Sequence, residues 1–354
     1  MYNIKGIGKY KQLPELAMLI YEGQLQQLRD AWAAGEHTDV NRPFERIGLT
    51  PLELALIMCQ SGMVEALLEQ GAELNDRQHP SMLTAVEYAS EQDIRRLYAA
   101  GAKMELRNHL NSNVYDRAYY GKKQHIPLIH ELGFDICEHA GAVLRTAVMD
   151  YDLKMIEYLL EQGVNINYNE PNQVFPHRST PLTVAVRYGH DKIARYLIEH
   201  GADVTIGETD GERAYTIALT RKNAELAAYI QSLEPPEFHD LSNKLHALRN
   251  YKLPAALIEA LSGDEPLVVM SSEHAYHVGR IEFFKLIDTI EMKIGRTRLL
   301  RLSAQVDPYG DLYIVWHPAS RRIGAYDVEH QEYHSLASWN DFIANPLVAL
   351  EQVW

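Results

Sequence analysis

The residues able to do chemistry are plentiful in this sequence but poorly arranged for it. Sixteen histidines raise the question of a metal or a general base. His330-Gln331-Glu332-Tyr333-His334 is not the zincin order, because glutamate does not follow the first histidine. The stretch also reads as a turn and strand, where the two rings would share no helical face. His125 and His130 stand too far round a helix for one metal, and His274 and His277 lie in a loop-like stretch with no nearby acid triad. Cys59 and Cys137 are the only cysteines, so neither a disulfide framework nor a thiolate zinc site is expected. Gly6-Ile7-Gly8 reads as having no strand before it and no phosphate-loop helix after it, and neither G-x-S-x-G nor a Walker pattern occurs. No catalytic residue, cofactor or metal is expected. The chain reads as a binder rather than an enzyme.

With 354 residues, 46% hydrophobic and 23% charged, the sequence suits two folded domains, or a solenoid with a globular cap. Net charge is −14, and roughly −10 of it lies before Asp240. That balance disfavours nucleic acid or an anionic membrane and suits a basic protein surface. An acidic surface that merely keeps a protein in solution is the plainer explanation. Met1 to Gln12 lacks the apolar core of a signal peptide, and no apolar run approaches membrane-spanning length. The expected compartment is the cytoplasm.

The elements that position a binding surface are clearest between Arg178 and Thr205. Thr180 can cap free N–H groups, and Pro181 at the first helical position needs no donor. Leu182, Ala185 and Val186 recur at helical spacing, Gly189 breaks the helix, and a second helix runs from Asp191 to His200 with Ile193, Ala194, Leu197 and Ile198 inward. Gly201 stands where a positive φ is wanted, and Ala202-Asp203-Val204 leads away extended. This text resembles the ankyrin repeat, in which T-P-L, G-H and G-A-D-V stand at these offsets. One such unit cannot bury its own apolar face, so neighbours of the same kind are expected.

Gly35, Gly71, Gly101, Gly133, Gly163 and Gly201 each follow an amphipathic helix. Helix starts are marked by Thr50-Pro51-Leu52, Leu83-Thr84-Ala85-Val86 and Leu144-Arg145-Thr146-Ala147-Val148. The expectation is an α solenoid of about seven ankyrin repeats over residues 1–236. Leu16 to Gly35 forms a divergent first repeat, and Gly211 to Leu233 a last one with a polar outer helix. The second repeat reads as carrying extra residues around Ile57 to Ser61, and the fourth, Asn113 to Phe134, loses T-P-L. The loop from Asn165 to Ser179 is long and holds Tyr168, Phe175 and His177, so it is either functional or packed on its neighbour.

In ankyrin units the concave surface comes from finger tips and from the end of each first helix. Those slots hold Tyr21 and Glu22, Glu87 and Tyr88, Tyr119 and Tyr120, Met149 and Asp150, Arg187 and Tyr188. A ladder of tyrosines offers rigid amphipathic area at low entropic cost, and the interleaved acids would attract a basic partner. The plainer possibility is that these rings pack between repeats. Tyr168 and Phe175 join the candidates, with Arg42, Glu45, Arg46, Arg77 and Arg107 as rim charges.

At Leu233-Glu234-Pro235-Pro236-Glu237 the pattern stops. Residues 237–354 read as a smaller α+β domain with an antiparallel sheet. Helices are expected over Leu241 to Leu261, interrupted at Leu253-Pro254, and over Arg280 to Met292. Strands are expected over Arg298 to Gln305, Leu312 to His317, Ile323 to Asp327 and Gln331 to Leu336, before a short helix capped by Ser338. Trp316, Tyr313, Tyr326 and Trp339 are aromatic candidates here, Trp339 reading as core, with Tyr309, Arg321 and Arg322 in turns.

This order, with Gly310-Asp311-Leu312-Tyr313, Tyr326-Asp327-Val328-Glu329-His330 and Leu336-Ala337-Ser338-Trp339-Asn340-Asp341-Phe342-Ile343, is similar to the SUKH superfamily. That resemblance implies a binding scaffold, whose bacterial members are commonly immunity proteins against secreted toxins. It carries over no catalytic residue. Together the two halves suggest an immunity protein that binds a toxin domain with a basic surface through the ankyrin concave face, and no nucleic acid or membrane. The alternative is a general interaction scaffold.

Overall fold

The computed structural model describes residues 1–270, 278–351 and 353, so His274 and His277 lie outside the described residues. The chain forms two compact units, Met1–Ala147 with Lys154–Asn165, and Val148–Leu153 with Ile166–Trp354.

In the first unit, β1 (Tyr2–Ile4) pairs antiparallel with β2 (Gly8–Tyr10), Ile4 opposite Gly8. Gly6-Ile7-Gly8 therefore does follow a strand. It makes a hairpin turn, not a phosphate loop. Helices then come in pairs: α1 (Glu15–Glu22) with α2 (Leu25–Ala33), α3 (Pro51–Ile57) with α4 (Ser61–Glu69), α5 (Ser81–Tyr88) with α6 (Glu91–Ala99), and α7 (Val114–Tyr120) with α8 (His125–Glu131). A single turn, α9 (Ile136–His139), precedes α10 (Gly141–Met149) and α11 (Leu153–Glu161), of which residues 148–153 belong to the second unit. First helices pack in sequence, α1 on α3, α3 on α5, α5 on α7.

The second unit opens its helical part with α12 (Pro181–Tyr188), α13 (Asp191–Glu199), α14 (Ala214–Thr220) and α15 (Ala224–Leu233). Thr180 caps α12 as its sequence indicates: its hydroxyl accepts from the Thr183 N–H (3.1 Å) while Thr183 Oγ1 accepts from the Thr180 N–H (2.9 Å). Gly201 closes α13 at φ 92°, where an L side chain would be strained. Gly35, Gly71, Gly101, Gly133 and Gly163 share that left-handed conformation. The turn inside each pair is less restricted in sequence. Gly189 (φ 73°) has left-handed counterparts in Cys59 (55°), Tyr151 (59°) and Lys222 (58°). Cys59 follows Thr50 by the same interval as Gly189 follows Thr180, so the extra residues expected around Ile57 to Ser61 are absent; a left-handed cysteine does the work of glycine.

Beyond α15 come α16 (Leu241–Ala247) and α17 (Ala255–Leu261), separated near Leu253-Pro254 as expected. The strands are β3 (Val268–Met270), β4 (Arg280–Phe283), β5 (Ile290–Ile294), β6 (Thr297–Arg301), β7 (Ser303–Asp307), β8 (Leu312–His317), β9 (Arg322–Asp327) and β10 (Glu332–Ser335). Two short helices follow, α18 (Trp339–Ala344), capped by Ser338, and α19 (Pro346–Leu350). The sheets are antiparallel, one five-stranded in the order β10-β9-β8-β6-β5, the other three-stranded in the order β3-β4-β7. The helix expected over Arg280 to Met292 is instead β4, a 3-10 turn at Leu286–Asp288 and β5. Ile281 and Phe283, both fully buried, show the period of two that the helical assignment overlooked. Arg298 to Gln305 is not one strand either; the chain changes sheets at Leu302.

One face of the five-stranded sheet builds a core with Leu248, Leu257, Trp316, Trp339 and Phe342. Trp316 Nε1 donates to the Tyr251 carbonyl (2.8 Å), and Trp339 lies edge-on to Phe283. The opposite face gathers Phe284, Ile290, Leu299, Val315 and Tyr326, against which Leu219 of α14 packs.

Candidate functional site

In the first unit the slots at the ends of α1, α5 and α7 differ in exposure. Tyr21 is half-buried: Tyr2 meets its ring edge-on at 5.2 Å, and its Oη accepts from the Asn3 N–H (3.3 Å). Glu22 is exposed and accepts from Gln24 Nε2 (2.7 Å). Glu87 is ion-paired with Arg117. Tyr88 is half-buried beneath the hairpin, where a Cβ on Gly6 would overlap its Oη. Burial, then the hydrogen bond to Glu87, push the Tyr88 hydroxyl up to about 12.

Tyr119 is core, not surface, at 2% exposure. Val114, Tyr115 and Ala118 form the inward face of α7, and Tyr119 continues it. Tyr120 falls off that face and is 63% exposed, its ring edge-on to Tyr119 at 5.8 Å.

In the second unit the surface gathers around His190. Its Nε2–H donates to the Met149 carbonyl (3.0 Å), which orients the imidazole. Tyr151 lies edge-on to that ring at 5.0 Å, and Tyr188 stacks on it at 6.1 Å. Both tyrosines are about half exposed, at 47% and 46%. Asp150 is exposed beside them and Met149 half-buried. Tyr151 escaped the slot assignment because it occupies the left-handed turn position, one residue past the helix-end pair. A glycine is expected there, so an aromatic was the available signal.

Arg187 is half-buried and committed to two acids. Its Nη2 reaches Glu208 (2.8 Å) and its Nη1 reaches Glu212 (2.7 Å), and Glu212 also takes Arg301 Nη1 (2.7 Å), whose guanidinium lies 3.5 Å from the Tyr313 ring centroid. Burial opposes charge on Glu212, but Arg301 and Arg187 outweigh it and hold the carboxyl below its ordinary range. Burial likewise opposes the Arg187 charge, and Glu212 and Glu208 raise it. This cluster ties α12 and the turn before α14 to β6 of the sheet. It is missing from the sequence reading because its members lie far apart along the chain.

The long loop is packed down. Phe175 is 6% exposed, its N–H donating to Asn172 Oδ1 (2.7 Å), and the Thr209 N–H donates to the His177 carbonyl (2.9 Å). Phe175 is thus core rather than contact surface, while Tyr168 is half-buried. Among the rim charges Arg42 pairs with Glu45 (3.0 Å) and Arg107 donates to the Asn111 carbonyl (2.9 Å), while Arg46 and Arg77 are exposed. Trp316, Tyr326 and Trp339 are buried and Tyr313 lies under Arg301, so these four hold the sheet domain together. Tyr309 is half-buried, Arg321 is exposed, and Arg322 donates to the Leu336 carbonyl (2.6 Å). Among the described residues no group of three or more His, Cys, Asp or Glu is placed to hold a metal ion, and no helix is long and apolar enough to cross a membrane.

Known proteins share the repeats. The chain is 31% identical over 87 residues to a palmitoyltransferase, AKR1, of Lachancea kluyveri, covering 25% of this chain and 11% of that protein. It is 30% identical over 81 residues to the E3 ubiquitin-protein ligase KEG of Arabidopsis thaliana, covering 23% and 5%. It is 30% identical over 84 residues to the 2-5A-dependent ribonuclease of Homo sapiens, covering 24% and 11%. The chain thus spans about a tenth or less of the length of these relatives, and their enzymatic names describe those proteins. Residues 118–234 match the family model for ankyrin repeats, in three copies. The N-terminal region carries ankyrin repeats, a protein-binding architecture, and a sheet-rich antiparallel domain follows it.

Proposed function

We propose that this chain is a non-enzymatic inhibitor that captures a protein with a basic surface through its repeat tyrosines and neutralises it, the captured protein being a secreted bacterial toxin. The observation that carries the binding surface is the pair Tyr151 and Tyr188, half exposed about His190. Rigid amphipathic rings of this kind form interface anchors. The net charge of −14 suits a basic partner, and the SUKH-like motifs supply the toxin. Residues 1–236 serve as the binding part and 237–354 as its companion. The exposed thiols of Cys59 and Cys137 suit a reducing cytoplasm.

A general scaffold that joins proteins without neutralising them is the second possibility, favoured by the matches to long proteins of which the shared stretch is 5–11%. Isolation of the chain with its bound partner from its own cells separates the two. A partner that is toxic when expressed alone, and harmless when this chain is co-expressed, is the expected result. A partner without toxicity leaves the scaffold. A toxin-like coding region beside the gene is the cheaper indication.

A further inference from the structure

The N-terminal hairpin lies on two of the repeat slots read from the sequence, those of Tyr21 and Tyr88. Residues 1–14 contain Lys5, Lys9 and Lys11 and no acid, whereas Glu22 and Glu87 stand in the slots at the ends of α1 and α5. Two three-residue strands are not stable alone, so the hairpin is held by what lies beneath it. Ile4 is its anchor, at 1% exposure. Tyr2 meets Tyr21 edge-on, the Asn3 N–H reaches Tyr21 Oη, and Gly6, at φ 74°, has no room for a Cβ against Tyr88. A glycine at the tip is what allows backbone to approach that phenol so closely.

We infer that hairpin β1–β2 is a built-in occupant of the repeat surface, and that a basic, extended segment of the partner takes its place. The inference rests on the partner-binding role proposed above. The chemistry is the same in both cases. The hairpin carries lysines while the chain as a whole bears a net charge of −14, one aliphatic side chain is buried, and extended backbone lies against the phenol rings. The cover explains why Tyr21 and Tyr88 are half-buried while Tyr120 is open. It also makes binding a competition, in which the partner's apparent affinity falls by the fraction of molecules whose hairpin is closed.

The test uses the full chain and a fluorescein-labelled synthetic peptide of residues 1–12 as probe. Ile4→Asp places a charge at the buried anchor, and Gly6→Val collides with Tyr88. Each is expected to release the hairpin, read as at least tenfold faster trypsin cleavage after Lys5 and Lys9. Each is expected to bind the peptide at least tenfold more tightly than the unaltered chain at about 50 mM salt, with the gain falling as salt screens the lysines. Adding Tyr21→Ala and Tyr88→Ala is expected to abolish that gain. Released hairpins without improved peptide binding would overturn the inference. So would unchanged trypsin cleavage in both variants, or loss of the cooperative unfolding transition in both, since either makes the hairpin a fixed part of the core. None of these outcomes involves Tyr151 or Tyr188, whose replacement decides the partner-binding role independently.

Discussion

Single side chains separate exposed surface from core in this protein. Tyr151 and Tyr188 each present about half their surface, whereas Tyr119 presents 2%. Replacing both Tyr151 and Tyr188 by Ala is expected to weaken the isolated partner complex by about 1,000-fold in calorimetry, since a hot-spot aromatic contributes about 2 kcal/mol or more. Unfolding stability should move little. Tyr119→Ala should do the reverse, lowering stability by about 3–5 kcal/mol through an unfilled core site. Lys244 gives a pH signature. Burial pulls its amine down to about 8 while it donates to the Thr289 carbonyl (2.6 Å). Between that value and its unfolded value of 10.5 the unfolded chain binds more protons, so stability gains with rising pH. Denaturant titrations from pH 8 to 10 should show this rise in the unaltered chain and its loss in Lys244→Met.

At the scale of helices and strands, local capping chemistry was readable and alternation was not always so. Thr180, Pro181 and Gly201 announce α12 and the end of α13 because each satisfies a backbone requirement that few other residues meet. Thr180→Ala is expected to cost about 1 kcal/mol, measurable in urea, with the fold retained. The turn within each pair was harder to read, because Cys59, Tyr151 and Lys222 tolerate the left-handed conformation that Gly189 adopts freely. Arg280 to Met292 was misassigned because its apolar residues fit a helical recurrence, and only pairing with β7 and β6 decides for strands. Half of the proposed tyrosine pair, Tyr188, was legible, since the slots follow from the repeat offsets. Which ring in a Tyr-Tyr or Arg-Tyr pair faces outward depends on how α7 and α12 are rotated against their neighbours.

The molecule as a whole joins a repeat region to a sheet domain, and the junction within the second unit is ionic as well as apolar. Arg187, Glu208, Glu212 and Arg301 meet there, with the Tyr215 Oη donating to Asp288 (3.1 Å). Arg301→Met leaves the buried Glu212 carboxylate with Arg187 alone, a half-exposed partner, and is expected to cost about 3 kcal/mol. In native-state hydrogen exchange α14 and the strands β5–β9 should then open separately, where in the unaltered chain they open together. The central claim concerns which part of this molecule holds another protein. Hydrogen exchange of the full chain, alone and saturated with its purified partner, tests it most directly. Protection that includes residues 149–151 and 187–190 is the expected result. Protection confined to β5–β10, with those repeat residues exchanging as before, would contradict the account.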